Sequence, residues 1–381
     1  MRVLLVSLLV LLSACATAPI APHHEELFHD ELFAGPTERI AAEDIFRPSE
    51  PMRRFLREDI ADLLRVHGPQ YGLVAALRGV GELRLEYDAT ATRNAAEAFA
   101  AKSGNCLSLV IMTAALAKEL GLPVRYQSAY LEETWRRSGD LLVRSGHVNV
   151  TLESRLVDAT RNQLGRSLTV DFLPPEEIRG LRTTAIGENT IVAMYMNNRA
   201  VEALVQGQVD NAYAWVRESI RRDPTFVSAF NTLGVIYLRQ GALAFAEQVF
   251  SRLLASQRDN TRAIANLAEV LTKQGRVAEA KALQERLAQL ETAPPFHYLN
   301  LGVAAMQRDD YVTARGYFAK EIARAGYNAE FHHWMAVASF KLDDHATAAR
   351  HLALAREYST SRGDRDLYAA KLAWLKAQAE H

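Results

Sequence analysis

The chain has 381 residues, 49% of them hydrophobic and 23% charged, and its 44 basic residues are balanced by 45 acidic ones for a formal net charge of −1. That composition excludes a disordered chain. The balanced charge offers no basic face or tail for nucleic acid, so no nucleic-acid partner is expected. The length has room for two or three domains.

Residues 1–15 read as a targeting segment. Arg2 supplies a positive start, and Val3 to Leu12 is an apolar run too short to span a bilayer. The run ends in Leu12-Ser13-Ala14-Cys15, which resembles a bacterial lipobox. The resemblance implies lipidation of Cys15, which would become the new N-terminus and tie the chain to a membrane. Ala16, where an Asp would resemble an inner-membrane retention signal, points to the outer membrane, with the protein facing the periplasm. Acyl chains hold firmly, at about 0.8 kcal/mol per buried CH₂. An ordinary secretory signal cleaved nearby is the plainer alternative. The chain has two cysteines. With lipid on Cys15, Cys106 has no disulfide partner, and a lone thiol in an oxidising compartment is either buried or used.

Residues 16–48 carry Pro19, Pro22, Pro36 and Pro48, with His23, His24 and several acids, and read as a solvated tether. A folded domain is expected over 49–185. Ser49 is the candidate N-cap of a first helix, with Phe55, Ile60, Leu63 and Leu64 as its apolar stripe up to Gly68. A second helical segment follows over 70–83 and a third over 92–101. Cys106 to Leu120 is the strongest helix of this region, ending at Gly121. The period then changes to two. Residues 124–130 are strand-like, 136–140 a turn, 141–152 strand-like, and 156–160 a further strand after a short turn. Helices followed by an antiparallel sheet make an α+β layout.

Pro174-Pro175 marks a loop, and beyond about Ile191 no strand signal remains. Ala212, Ala246, Ala280, Ala314 and Ala348 are spaced by 34, as are Ala200, Gly234, Ala268, Gly302 and Ala336. Gly207, Gly241 and Gly275 sit at the intervening turns, and Asp309 and Asp343 replace them in the last two units. Small residues in these two slots let paired helices cross closely. The pattern, best seen in Phe230-Leu233-Gly234-Tyr237-Gly241-Ala246-Phe250, resembles the tetratricopeptide repeat. Five repeats fill 190–360, with a capping helix over 361–381. Trp215, Tyr237 and Trp334 take core positions. Helix residues Asn231, Arg262 and Glu269 are candidates to line a groove for a protein or peptide.

The chemistry centres on Lys102-Ser103-Gly104-Asn105-Cys106. At a helix start, a thiol lies beside unpaired N–H groups and the positive end of the helix dipole, which favours thiolate. Gly104 would leave room for substrate backbone. His147 sits in a strand where His147, Asn149 and Thr151 alternate with Val148, Val150 and Leu152, as on a half-buried strand. Asp158 follows eleven residues later, across a turn at 152–155, with a parity that lets the two share a face. Cys106 as nucleophile, His147 as base and Asp158 as orienter form a triad with Cys in place of Ser. The backbone N–H of Cys106 serves as one oxyanion donor, and the second is unassigned. No metal site and no cofactor is expected. There is no HExxH, CxxC or P-loop, and His332-His333 reads as packing.

The blocks Gly104-Asn105-Cys106, Gly146-His147-Val148-Asn149 and Leu156-Val157-Asp158-Ala159-Thr160 together resemble the transglutaminase-like superfamily, a papain-like group. The resemblance covers about 85–165. It implies a thioester enzyme acting on amide or peptide bonds, with Cys106, His147 and Asp158 in the roles above. Asn149 departs from the aromatic common two residues after the His. The expected fold is an α+β papain-like, transglutaminase-like domain followed by an all-α tetratricopeptide-repeat solenoid. The alternative function is a catalytically silent, lipid-anchored protein-binding scaffold.

Overall fold

A computed structural model describes residues 24–78, 83, 85–88, 91–129, 135–138, 141–144, 147–153, 167–172, 183–290, 296–359 and 362–379. Cys15 and Asp158, the expected lipidation site and orienter, lie outside the described residues.

Helix α1, Glu50–Arg54, starts after Ser49 and runs through one π turn, Phe55–Asp59, into α2, Ala61–Leu77. Ser49 takes the N-cap position, but its side chain bonds no helix N–H. The break expected at Gly68 is present, with φ +78° just before Pro69. Strand β1, Glu86–Tyr87, pairs in parallel with β2, Ser103–Gly104. Between them α3, Ala95–Ala101, opens on a capping box of Asn94 and Glu97. Helix α4, Cys106–Glu119, is buried from Cys106 through Ala117.

The sheet follows. Strand β3, Val124–Ala129, lies at its centre, and β4, Trp135–Ser138, pairs with β5, Leu141–Arg144, as a separate hairpin. Strand continues through Ser138, where a turn is expected from Arg136. Then come β6, His147–Leu152, β7, Leu168–Val170, and β8, Thr183–Ile186. The four-stranded sheet runs β7-β6-β3-β8, all antiparallel. All six residues of β6 are buried, so the half-buried reading of that strand is corrected. Its polar members find partners in residues 169–171: Thr151 hydroxyl to Thr169 hydroxyl at 3.0 Å, and His147 and Asn149 to Asp171.

Beyond 187 the described chain is helical, in five pairs. These are α5 (Glu188–Val205) with α6 (Val209–Arg222), α7 (Val227–Gln240) with α8 (Leu243–Ser256), α9 (Thr261–Lys273) with α10 (Val277–Leu290), α11 (His297–Met306) with α12 (Tyr311–Arg324), and α13 (Ala329–Lys341) with α14 (His345–Glu357). Helix α15, Arg362–Ala379, follows. The small-residue slots are buried in every pair. A Cβ on Gly234 would stand 2.5 Å from the Phe250 ring, so the close crossing needs glycine there. Asp309 and Asp343 take φ of +56° and +58° at the intra-repeat turns, the conformation the turn glycines adopt elsewhere; Asp tolerates it better than most residues do. One apolar core runs from the α+β region through the third pair. The fourth and fifth pairs enclose a second cluster, and the fifth with α15 a third.

The tether reading fails over 24–46. Leu27 and Ile45 are each 1% exposed. Ile45 accepts a backbone hydrogen bond from Ala95, and Lys118 lies over the Phe46 ring. This strap leads from the first two repeats to the α+β domain. Its short turns set aliphatic residues into the core rather than keeping the chain in water.

Three histidines of the fifth repeat, His332, His333 and His351, are packed. His332 donates through Nε2 to the Gly326 carbonyl at 2.7 Å, so its Nδ1 accepts from His351 Nδ1 at 2.8 Å. Burial lowers the pKa of His332, and burial with nearby positive charge pulls His333 and His351 down to about 4. All three stay neutral in the fold, while the unfolded chain takes protons below about pH 6.5. The stability these three contribute is therefore present above about pH 6.5 and is lost as pH falls toward 4. Acid titration followed by hydrogen exchange is expected to open α13 and α14 before α4, and His351→Gln is expected to flatten that pH dependence.

Candidate active site

Cys106 is the first residue of α4 and is 5% exposed. A polar lattice fixes its helix start. Asn105 Oδ1 accepts from the Ser108 amide and from the Ser108 hydroxyl, both at 2.9 Å. The Ser108 hydroxyl accepts in turn from the Arg93 amide at 2.8 Å. Asn105 Nδ2 donates to the Thr92 hydroxyl at 2.9 Å, and the Thr92 amide donates to Glu202 of α5 at 2.7 Å. Burial raises the pKa of Glu202, and its bonds from Thr92 oppose that rise. The first repeat helix thus supports the loop that supports the nucleophile. Gly104 has a different reason from the one expected. A Cβ there would lie 2.6 Å from Ser108 Cβ, so the glycine lets strand β2 press against the first turn of α4.

His147 begins β6 opposite Ala129 and is 2% exposed. Its Nε2 lies 2.8 Å from both carboxylate oxygens of Asp171. The ring is also hydrogen-bonded to Cys106, and with Nε2 taken by the carboxylate, Nδ1 is the nitrogen left for the sulfur. Burial alone would lower the pKa of His147. The hydrogen bonds and negative charges of Asp171 and Cys106 outweigh it and hold the ring at about 9. A buried imidazole stays protonated this way only when it is paired with anions. A thiolate, an imidazolium and a carboxylate can therefore coexist here, the set that attacks a carbonyl carbon and delivers a proton to a leaving amine.

Asp171 is the residue sequence reasoning missed. The β6–β7 register pairs Val150 with Val170 and Thr151 with Thr169. The next step places Asp171 across from Asn149, on the face of His147. Its signal was present in Leu168-Thr169-Val170-Asp171, which alternates as β6 does and stops just before Pro174-Pro175. The expected orienter, Asp158, lies outside the described residues. Asn149 is 5% exposed, and its Nδ2 stands 3.4 Å from Asp171 while its Oδ1 is buried with no hydrogen-bond partner. Gln70 of α2, also buried, donates to the Leu152 carbonyl at 2.6 Å and so anchors the far end of β6.

The groove candidates are all on first helices of repeats. Asn231 of α7 accepts from Asn266 of α9 at 3.0 Å, and Glu269 of α9 pairs with Lys273 at 3.7 Å; Arg262 is in the first turn of the same helix. Trp215 and Tyr237 are buried as expected, but both also bond the strap: Trp215 Nε1 to Glu38 at 2.7 Å and Tyr237 hydroxyl to the Leu27 carbonyl at 2.6 Å. Among the described residues no group of His, Cys, Asp and Glu is arranged to hold a metal ion, and no helix is long and apolar enough to cross a membrane.

Residues 67–161 match the family model of the transglutaminase-like superfamily. The matched span contains Cys106, His147 and Asp158, and ends before Asp171. Among solved structures, MamA 41-end from Desulfovibrio magneticus RS-1 is 21% identical, covering 46% of this chain and 97% of its own, with a TM-score of 0.27. TTC0263, a thermophilic TPR protein in Thermus thermophilus, is 16% identical over 48% of this chain and 99% of its own, with a TM-score of 0.29. YrrB, a TPR protein with an unusual peptide-binding site, is 18% identical over 47% of this chain and 92% of its own, with a TM-score of 0.25. No curated protein matches the chain. The repeat assignment rests on the five helix pairs and their 34-residue phase. The chain therefore joins an α+β, transglutaminase-like domain to tetratricopeptide repeats.

Proposed function

We propose that this protein is a cell-envelope enzyme, anchored by lipid on Cys15 at the outer membrane and facing the periplasm, that acts on amide or peptide bonds through a thioester. One observation carries the catalytic part: the buried His147 ring lies 2.8 Å from both Asp171 carboxylate oxygens and hydrogen-bonds Cys106, partners that raise its pKa to about 9. The Cys106 thiolate attacks the carbonyl carbon, a C–S bond forms, and the carbonyl electron pair moves onto oxygen. The tetrahedral species collapses, the C–N bond breaks, and His147 gives its proton to the leaving amine. Neutral His147 then takes a proton from water, or from an acceptor amine, as it attacks the thioester. The thiolate leaves, and the product is a carboxylic acid or a new amide. Asp171 holds the ring through both proton transfers. The repeats recruit the protein or peptide on which this site acts.

The test is alkylation. Cys106 is expected to react with iodoacetamide well below pH 8, and His147→Ala is expected to push the reaction up to the range of an ordinary thiol, near pH 8.5. Mass spectrometry of Cys106 after exposure to envelope extract should then show acyl adducts. The 5% exposure of Cys106 favours a second reading, a lipid-anchored docking scaffold with a closed, silent site. Labelling no faster than an ordinary thiol, and unchanged by His147→Ala, would establish the scaffold and end the catalytic reading.

A further inference from the structure

The strap contains a five-residue duplication. His24-Glu25-Glu26-Leu27-Phe28 is followed without a gap by His29-Asp30-Glu31-Leu32-Phe33. Each unit folds alike: one 3-10 turn, Glu25–Leu27 or Asp30–Leu32, and then an extended Phe. For the first acids and the leucine carbonyls, the repeats meet the two units with groups about one helical turn apart; the histidines and phenylalanines meet aromatic or cationic groups on several helices.

The first acid of each unit meets an arginine of α6. Glu25 takes two bonds from Arg221, at 2.7 and 2.9 Å, and Asp30 accepts from Arg217 at 2.8 Å and from Tyr213 hydroxyl at 2.6 Å. Arg221 and Arg217 are four residues apart, so they share one helix face. The leucine carbonyls meet donors of α7. Leu27 accepts from Tyr237 hydroxyl at 2.6 Å, and Leu32 accepts from Gln240 at 3.2 Å, three residues on. The histidines meet phenylalanines. His24 sits edge-on to Phe230 at 4.7 Å, and His29 stacks on Phe245 of α8 at 3.5 Å. The phenylalanines are covered too: Phe28 by the Arg221 guanidinium at 5.3 Å, Phe33 by Tyr213, stacked at 3.9 Å. Glu26 pairs with Arg252 of α8. In its first acids and leucine carbonyls the tandem segment is thus met by a tandem surface, running antiparallel to α6 and parallel to α7, whereas Glu31 pairs with His29 inside the strap.

We infer that the surface built by α6, α7 and α8 is a reader of short His-acid-Glu-Leu-Phe peptides, and that residues 24–33 are its ligand carried in cis. Its partner in trans is a protein that displays the same acidic Leu-Phe motif and takes the strap's place. Most of the ion pairs are exposed, and such pairs are individually weak. The resident segment holds through their number, through buried Leu27 and through its covalent tether, which raises its effective concentration. This inference deepens the peptide-recruiting half of the proposed function and rests on that half alone.

The test uses full-length protein carrying Leu27→Asp and Leu32→Asp, which vacates the surface, with a fluorescein-labelled peptide spanning residues 22–34 as probe. Anisotropy is expected to show the peptide binding this variant at least tenfold more tightly than the unaltered chain. Adding Arg217→Glu and Arg221→Glu is expected to abolish that binding. If the leucine variant fails to fold, Glu25→Lys with Asp30→Lys vacates the same surface by charge alone. The inference is overturned if a folded, vacated variant does not bind the peptide, if arginine reversal leaves binding intact, or if the unaltered chain binds equally well. Cys106 alkylation in the unaltered chain, and its response to His147→Ala, read the catalytic reading separately, so failure here and failure there are told apart.

Discussion

Asp171→Asn is expected to raise the pH midpoint of Cys106 alkylation and, in any assay of amide turnover, to cut the rate by a factor on the order of 10³–10⁴. The substitution keeps the volume of the side chain, so the β6–β7 ladder should persist. What it removes is charge. His147 is held at about pH 9 against burial by Asp171 and Cys106 together. Without the carboxylate its pKa falls toward, and through burial below, the ordinary value of about 6.5. Between that lower value and pH 9 the ring becomes neutral, and the thiolate loses the positive charge beside it. Alkylation at pH 7 therefore slows, and the midpoint moves toward that of an ordinary thiol. The amide can also present N–H where the carboxylate presented oxygen, turning the ring to the wrong tautomer. Asp158→Asn, measured alongside, reads the orienter implied by the family resemblance. If that variant shifts alkylation and Asp171→Asn does not, the Asp171 contact is structural only, and the site must be redrawn around residue 158.

The repeats were legible because their packing leaves a mark at fixed spacing. A helix pair crosses where a small residue sits, and Ala or Gly recurs in both slots at every 34th position. The cysteine helix was legible for a similar local reason, since Asn105 caps it and Gly121 follows it with φ +67°. Asp171 was not legible because the strand beside His147 was sought in a short hairpin over 156–160, which lies outside the described residues. The described strand that pairs with the far side of β6 starts at Leu168, well beyond Leu152, and nothing in a sequence sets the length of such a connection. The burial of Asn149 and Thr151 was hidden too. Alternation marks a face as polar, and a polar face is normally wet, unless a neighbour brings matching polar groups as Thr169 and Asp171 do. The strap was misread through composition. Four prolines and many acids suggest a solvated linker, yet the acids are spent on Arg217, Arg221 and Arg252.

Both ends of the repeat array touch the nucleophile's surroundings. Glu202 of α5 bonds the Thr92 amide, and Arg365 of α15 reaches the Tyr87 carbonyl at 3.4 Å, in the strand that pairs with Gly104. The repeat array and its last helix are thus tied at two points to the segments that carry the nucleophile.

The continuity of the cores leads to the second large expectation, a contrast between two equivalent phenylalanines. Phe250 and Phe318 are both fully buried, and each ring faces the glycine of its own repeat, Gly234 or Gly302. Either Phe→Ala change should cost about 3–5 kcal/mol, the transfer loss plus the cavity. The consequences should differ. Phe318 belongs to the cluster of Phe296, Leu299, Ala314, Phe331 and Met335, confined to the fourth and fifth pairs. Repeat arrays transmit stability between nearest neighbours, so Phe318→Ala should speed hydrogen exchange in α11 to α14 and leave Cys106 alkylation as it was. Phe250 lies in the core that also holds Cys106, Leu109 and Val150. Phe250→Ala should therefore lower protection in α4 and β6 as well, and expose the thiol to alkylation by local opening. Equal effects of the two substitutions on α4 would mean that the molecule unfolds as one cooperative unit, and that the boundary between the apolar clusters has no energetic meaning.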